Sequence, residues 1–188
     1  MQMTTMAYVT RHPRRALLAL AALTASVAVA VGSSASFSAS SANPSNTFAA
    51  GTLTILNSKE GVAVLTASGM KPGDSATGTV DVQNTGSLSG AFTVAKSGIV
   101  DSDGVNPMSA KLDLVVKDCG DFSSGTPTCD VGDPVKYTGT IAAMGTVALG
   151  TFAASEKHRY EFAVTFNSSA TNAYQGDTSS VQFDWNAS

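Results

Sequence analysis

From Leu53 onward the chain alternates apolar and polar residues with a period of two, the pattern of strands with one buried face. Leu53 and Ile55 share a face, as do Val62 and Val64. Val80 and Val82 alternate with Asp81 and Gln83, and Phe92 and Val94 follow. Leu112, Leu114 and Val116 make a fifth run, and Tyr137 and Ile141 bracket Gly139. Tyr160, Phe162, Val164 and Phe166 form the most aromatic run, and Val181, Phe183 and Trp185 form the last. One stretch breaks the pattern. Residues Ile141 to Ala154 are rich in Ala, and the glycines Gly139, Gly145 and Gly150 limit any helix there to a short one.

Turn chemistry separates the runs. Lys71–Asp74 reads Lys-Pro-Gly-Asp, with Pro and Gly where a type II turn needs them. Asn84–Ser87 offers Gly86 for a positive φ. The stretch Asn172–Gly176 predicts a corner in which Gly176 permits a sharp turn and Tyr174 packs over the end of the fold. The strand after it is expected to close the core with Trp185, the one Trp of the chain. Short strands with frequent turn signals predict an all-β, antiparallel sandwich of the jelly-roll or Ig-like type.

The first 50 residues do not alternate. Arg11, Arg14 and Arg15 precede an uncharged Ala/Leu/Val run, and small residues follow it, the layout of a secretory leader. The expected division is leader 1–35, cut between Ala35 and Ser36, then a Ser/Ala-rich arm 36–50 and a sandwich 51–188. The 188 residues less 35 leave 153, enough for one domain with its own core. Removing the leader takes three of the 11 cationic residues and none of the 14 acidic ones, so the net charge moves from −3 to −6. An acidic domain without a basic cluster is a poor partner for nucleic acid or anionic lipid. No membrane attachment is expected after cleavage. Cys119 and Cys129, with nine residues between them, predict one disulfide closing a Gly/Ser/Thr-rich loop in an oxidising compartment.

Catalytic chemistry finds little to work with. Beyond the leader, His158 is the one histidine, flanked by Lys157 and Arg159, and it reads as a surface residue. A catalytic zinc needs about three protein ligands and a water, and no HExxH pair is present. No G-x-S-x-G elbow and no phosphate-binding Gly loop appear. Asp101 and Asp103 start like a calcium loop, but no Glu follows at the twelfth position. They are weak metal candidates beside a plain solvated turn. No cofactor is expected.

Three segments read in order carry a resemblance. They are Asn46–Ile55 (NTFAAGTLTI), Met70–Val94 (MKPGDSATGTVDVQNTGSLSGAFTV) and Leu149–Ser188, which contains NAYQG. Together they resemble the TasA/camelysin family of bacterial exported proteins. The resemblance implies a jelly-roll-like sandwich released by a signal peptidase. It also implies either self-association into extracellular fibres of the biofilm matrix, by donation of the N-terminal arm to a neighbour, or a surface metallopeptidase. The arm's two aromatics, Phe37 and Phe48, would anchor it in the acceptor. A monomeric adhesin using loops Ile99–Met108 and Cys119–Cys129 is a third expectation from the residues alone.

Overall fold

The computed structural model describes residue 47 and residues 49–123 and 125–188. The predicted leader, its cleavage pair Ala35 and Ser36, and the anchors Phe37 and Phe48 lie outside the described residues.

The described residues form eight strands: β1 (Ile55–Asn57), β2 (Ser75–Asn84), β3 (Gly90–Asp101), β4 (Leu112–Asp121), β5 (Val135–Thr140), β6 (Thr146–Phe152), β7 (Lys157–Phe166) and β8 (Ser179–Ala187). Every pairing is antiparallel. Five strands form one sheet in the order β1-β2-β7-β4-β5, and three form the other in the order β6-β3-β8. The core between them takes the inward positions of both sheets, Val80, Val82, Leu114, Val116, Tyr160 and Phe162 from the larger, Phe92, Val94 and Phe152 from the smaller. The all-β antiparallel sandwich read from the sequence is the fold found. Two short 3-10 turns, Met108–Lys111 and Asn172–Tyr174, are its helical elements among the described residues.

The Ala-rich stretch, expected to hold at most a short helix, makes a turn with Ile141 and Met144 buried and then forms β6. Val147 and Leu149 point inward there, and a bulge opposite Phe92 and Thr93 brings Phe152 back into phase. Three other local expectations need correction. Val62 and Val64 do not form a strand. Val62 is 63% exposed, and residues 58–74 run as turns and irregular chain between β1 and β2. Gly86 does not use a positive φ. A side chain is excluded there because a Cβ would stand 2.3 Å from the carbonyl oxygen of Thr52 and 2.7 Å from the Cα of Leu53. Trp185 is only half-buried and lies against the rim of the core rather than sealing it.

The close approach at Gly86 pins the start of the domain. Thr85 N–H donates to Thr54 O, and the N–H groups of Ser87 and Leu88 both donate to Thr52 O. Thr52 N–H returns a bond to Ser87 Oγ at 3.0 Å. Asn84, fully buried at the end of β2, ties the same corner together. Its side-chain amide donates to the carbonyls of Leu88, Phe152 and Ala153, and its Oδ1 accepts from Gly86 N–H. The predicted turn at Lys71–Asp74 is present, with Gly73 at φ 96° and Asp74 N–H donating to Lys71 O. The predicted corner holds as well. Gly176 takes φ 87°, and Tyr174 packs edge-on to Phe166 with ring centroids 6.3 Å apart.

Candidate functional site

Two features of the sandwich have functional content, a charged cluster at one end of the core and a groove beside β8. The cluster is built by two bulges. On β4, Leu112, Leu114, Val116 and Asp118 all keep the buried phase. The register with β7 then skips Cys119, with Gly120 at φ 103°, a conformation that glycine adopts without strain. On β5 the register with β4 skips Lys136. The Lys136 ammonium reaches Asp118 Oδ2 at 3.2 Å and donates to Leu149 O of the opposite sheet at 2.9 Å.

His158 completes the cluster. It lies two residues before Tyr160 on β7 and shares its inward phase. It is not the surface residue its charged neighbours suggested; its side chain is 18% exposed. Nδ1 meets Asp118 Oδ1 at 2.9 Å and Nε2 meets Glu156 Oε1 at 2.9 Å. The ring lies over Phe152 at 4.7 Å between centroids and faces Tyr160 at 6.2 Å. The hydrogen bond to Asp118, and then that to Glu156, hold the imidazolium above its ordinary value against the opposing effect of burial. Burial acts to raise the Asp118 carboxyl, but bonds from His158, Gly120 N–H and Lys136 outweigh it and hold the acid below its ordinary range. Glu156 is lowered by His158 and by the N–H of Ala153. Tyr160, fully buried, has its phenol raised by burial first and by the two carboxylates next.

This arrangement suits a clamp better than a catalyst. A histidine with both nitrogens bonded to carboxylates has neither a free lone pair to accept a proton nor one to bind a metal. The two carboxylates sit on opposite nitrogens, so one ion cannot take His158, Asp118 and Glu156 together in ordinary zinc geometry. Lys136, bonded to Asp118 Oδ2, adds a positive charge to the cluster. Among the described residues, no three of His, Cys, Asp and Glu are grouped to hold a metal.

The weak calcium candidates are also engaged. Asp101, the last residue of β3, accepts from Ser109 N–H and Ser109 Oγ at 2.8 and 2.7 Å. Asp103 accepts from Val105 N–H at 2.8 Å and from Asn106 Nδ2 at 3.0 Å. The first pair of bonds ties the end of β3 to the 3-10 turn, and the second closes the loop on itself. Cys119 and Cys129 form the predicted disulfide. The loop they close is held on the outer face of the larger sheet, where Lys157 Nζ lies 3.9 Å from the centre of the Phe122 ring. Arg159 grips Asp81 through Nε and Nη2 at 2.7 and 3.1 Å in the same patch.

The groove follows from the unequal sheets. β8 is an edge strand, paired with β3 alone among the described residues. Beside its free edge runs a depression of about 970 Å3, walled by residues 181–186 on one side and by Ile55, Asn57 and residues 59–64 on the other. Val181, Phe183 and Trp185 are half-buried along it. The alternation Val-Phe-Trp was visible in the sequence; that it faces a gap was not. The Asp118–His158 contact was missed, although Asp118 continues the Leu112-Leu114-Val116 phase and His158 that of Tyr160.

Fold and cluster together define a class of protein: an all-β sandwich with a disulfide, an internal ionic clamp and an open edge. Residues 15–105 match the family described as Camelysin metallo-endopeptidase. The chain is therefore camelysin-like from Arg15 to Val105, and the resemblance to the TasA/camelysin family holds over that stretch. No curated protein matches the chain. No helix among the described residues is long and apolar enough to cross a membrane.

Proposed function

We propose that the chain is an exported structural subunit that joins copies of itself by strand addition along the free edge of β8. The observation that carries this reading is the five-on-three sandwich. Among the described residues it leaves an edge strand with unpaired backbone groups beside a partly apolar groove. Such an edge accepts a strand from another chain unless it is blocked, and the added strand is held by main-chain bonds that ask little of its sequence. The occupant is the Ser/Ala-rich arm, residues 36–50 of a second copy, with Phe37 and Phe48 as side-chain anchors in the groove. The predicted leader places the assembly outside the cell, and a signal peptidase frees the arm.

Deleting residues 36–47 is expected to leave a folded monomer that forms no filaments in electron micrographs of the secreted protein. Filaments from the deleted protein would refute arm donation. The family description favours a second reading, a metallopeptidase. The charged cluster argues against it, because both nitrogens of His158 are already bonded to carboxylates. One zinc per purified chain, with casein cleavage lost in His158→Ala, would replace the structural reading with the enzymatic one.

A further inference from the structure

The groove has a wall that does not belong to either sheet. Residues 61–65 pass over the inner face of β2 at Gly78, which shares the inward phase of Val80 and Val82. A Cβ on Gly78 would stand 2.2 Å from Val64 O and 2.8 Å from Leu65 Cβ. The missing side chain is therefore the space in which this stretch sits. A fourth strand of the smaller sheet, added next to β8, would set its inward side chains over that same part of β2.

The hold on the stretch is slight. Among the described residues, none of the backbone hydrogen bonds outside the strands involves residues 63–70. Val64, Leu65 and Met70 are its partly buried residues, and those around them are exposed. Within residues 61–65 the one such backbone bond is Val62 N–H to Lys59 O, a turn bond inside the same excursion, and a segment held this lightly opens at low free energy, well below that of global unfolding. The start of the domain at Thr52–Thr54 is the opposite case, tied by three backbone bonds to the β2–β3 turn.

We propose that residues 61–65 are an internal stopper: they fill the space over Gly78 that an incoming strand from a second copy needs, so that joining requires their displacement. The proposal rests on assembly by strand addition and adds to it a gate on the acceptor side. The free subunit then covers its own apolar inner face before assembly. An open conformer that is only a minor fraction of the population weakens the apparent affinity for the arm by that same fraction.

Two variants release the stopper through different atoms. Gly78→Ala puts a methyl group against Val64 O and Leu65 Cβ, a clash relieved by moving the stretch away, and Leu65→Ser removes the apolar anchor. Each is expected to speed cleavage by proteinase K within residues 61–70 while leaving β4 and β7 intact. Each is also expected to raise the filament nucleation rate of the mature full-length chain by about tenfold, as removal of a ~1.4 kcal/mol opening cost would. Faster cleavage with filaments forming at the wild-type rate would overturn the stopper and leave strand addition standing. Unchanged cleavage in both variants would overturn it as well. Absence of filaments from the wild type and both variants would overturn strand addition and the stopper together.

Discussion

β7 and β8 carry nearly the same sequence pattern and reach different ends. Tyr160, Phe162, Val164 and Phe166 on β7 are all buried. Val181, Phe183 and Trp185 on β8 alternate just as cleanly and are only half-buried. Rank in the sheet makes the difference. β7 lies between β2 and β4 in the middle of five strands, whereas β8 ends a sheet of three. Alternation reports that a strand has an apolar face. It does not report how much sheet stands opposite that face or beside it. A central aromatic strand of this kind supplies stability, and an edge strand with the same residues keeps part of its apolar face uncovered.

The contrast can be broken most severely on β7. Phe162→Ala is expected to cost about 3–5 kcal/mol in denaturant unfolding, as a fully buried phenylalanine does when truncated. A cost similar to that of a β8 aromatic would mean that the two strands are equally packed, against the burial observed.

The next largest effect is expected where β7 meets the charged cluster. His158→Gln is expected to cost about 1–3 kcal/mol near pH 6, since it removes a charged partner from Asp118 and Glu156. The pH dependence follows from the directions of the shifts. His158 is raised, so its contribution is complete below its ordinary value of 6.5 and is lost as pH rises through the raised value. Asp118 and Glu156 are lowered, so theirs is present above the ordinary 3.8 and 4.5 and is lost as pH falls through the lowered values. The cluster therefore contributes most between pH 4.5 and 6.5. Unfolding curves across pH should show the alkaline loss in the wild type and not in the variant. An alkaline limb that survives the substitution would assign the effect to other groups.

The smallest effect on stability belongs to β8. Trp185→Ala is expected to cost about 1–2 kcal/mol in the monomer, less than a fully buried aromatic, because the side chain is only partly buried. Its effect on filament formation should be much larger than its effect on unfolding. A variant that unfolds far more easily but still forms filaments would reverse the roles of the two strands, making β8 the stabilising one.

The sequence made the strands legible where each run had its own polar alternates and turn residues, as for β2, β4, β7 and β8. It failed at β6. There the apolar partners Val147, Leu149 and Phe152 are spaced by a bulge and diluted by Ala and Gly, so composition outweighed periodicity. It also failed at Val62 and Val64, where two spaced valines imitate a strand without the neighbours to pair it. The disulfide was legible from spacing and compartment. The histidine clamp was not, because its members come from β4, β5, β7 and the turn before β7. Only the two bulges bring Asp118 and Lys136 to His158. The open edge depends on strand order, which no local pattern encodes.

The corner at Gly86 has one more consequence. Thr52 and Thr54 are tied to the β2–β3 turn by backbone bonds, so the start of the domain is held at one fixed place. A polymer made by lending the arm before it to a neighbour would inherit a constant rise and rotation per subunit from this corner. Such a filament would be stiff and periodic, not a string of beads on slack tethers.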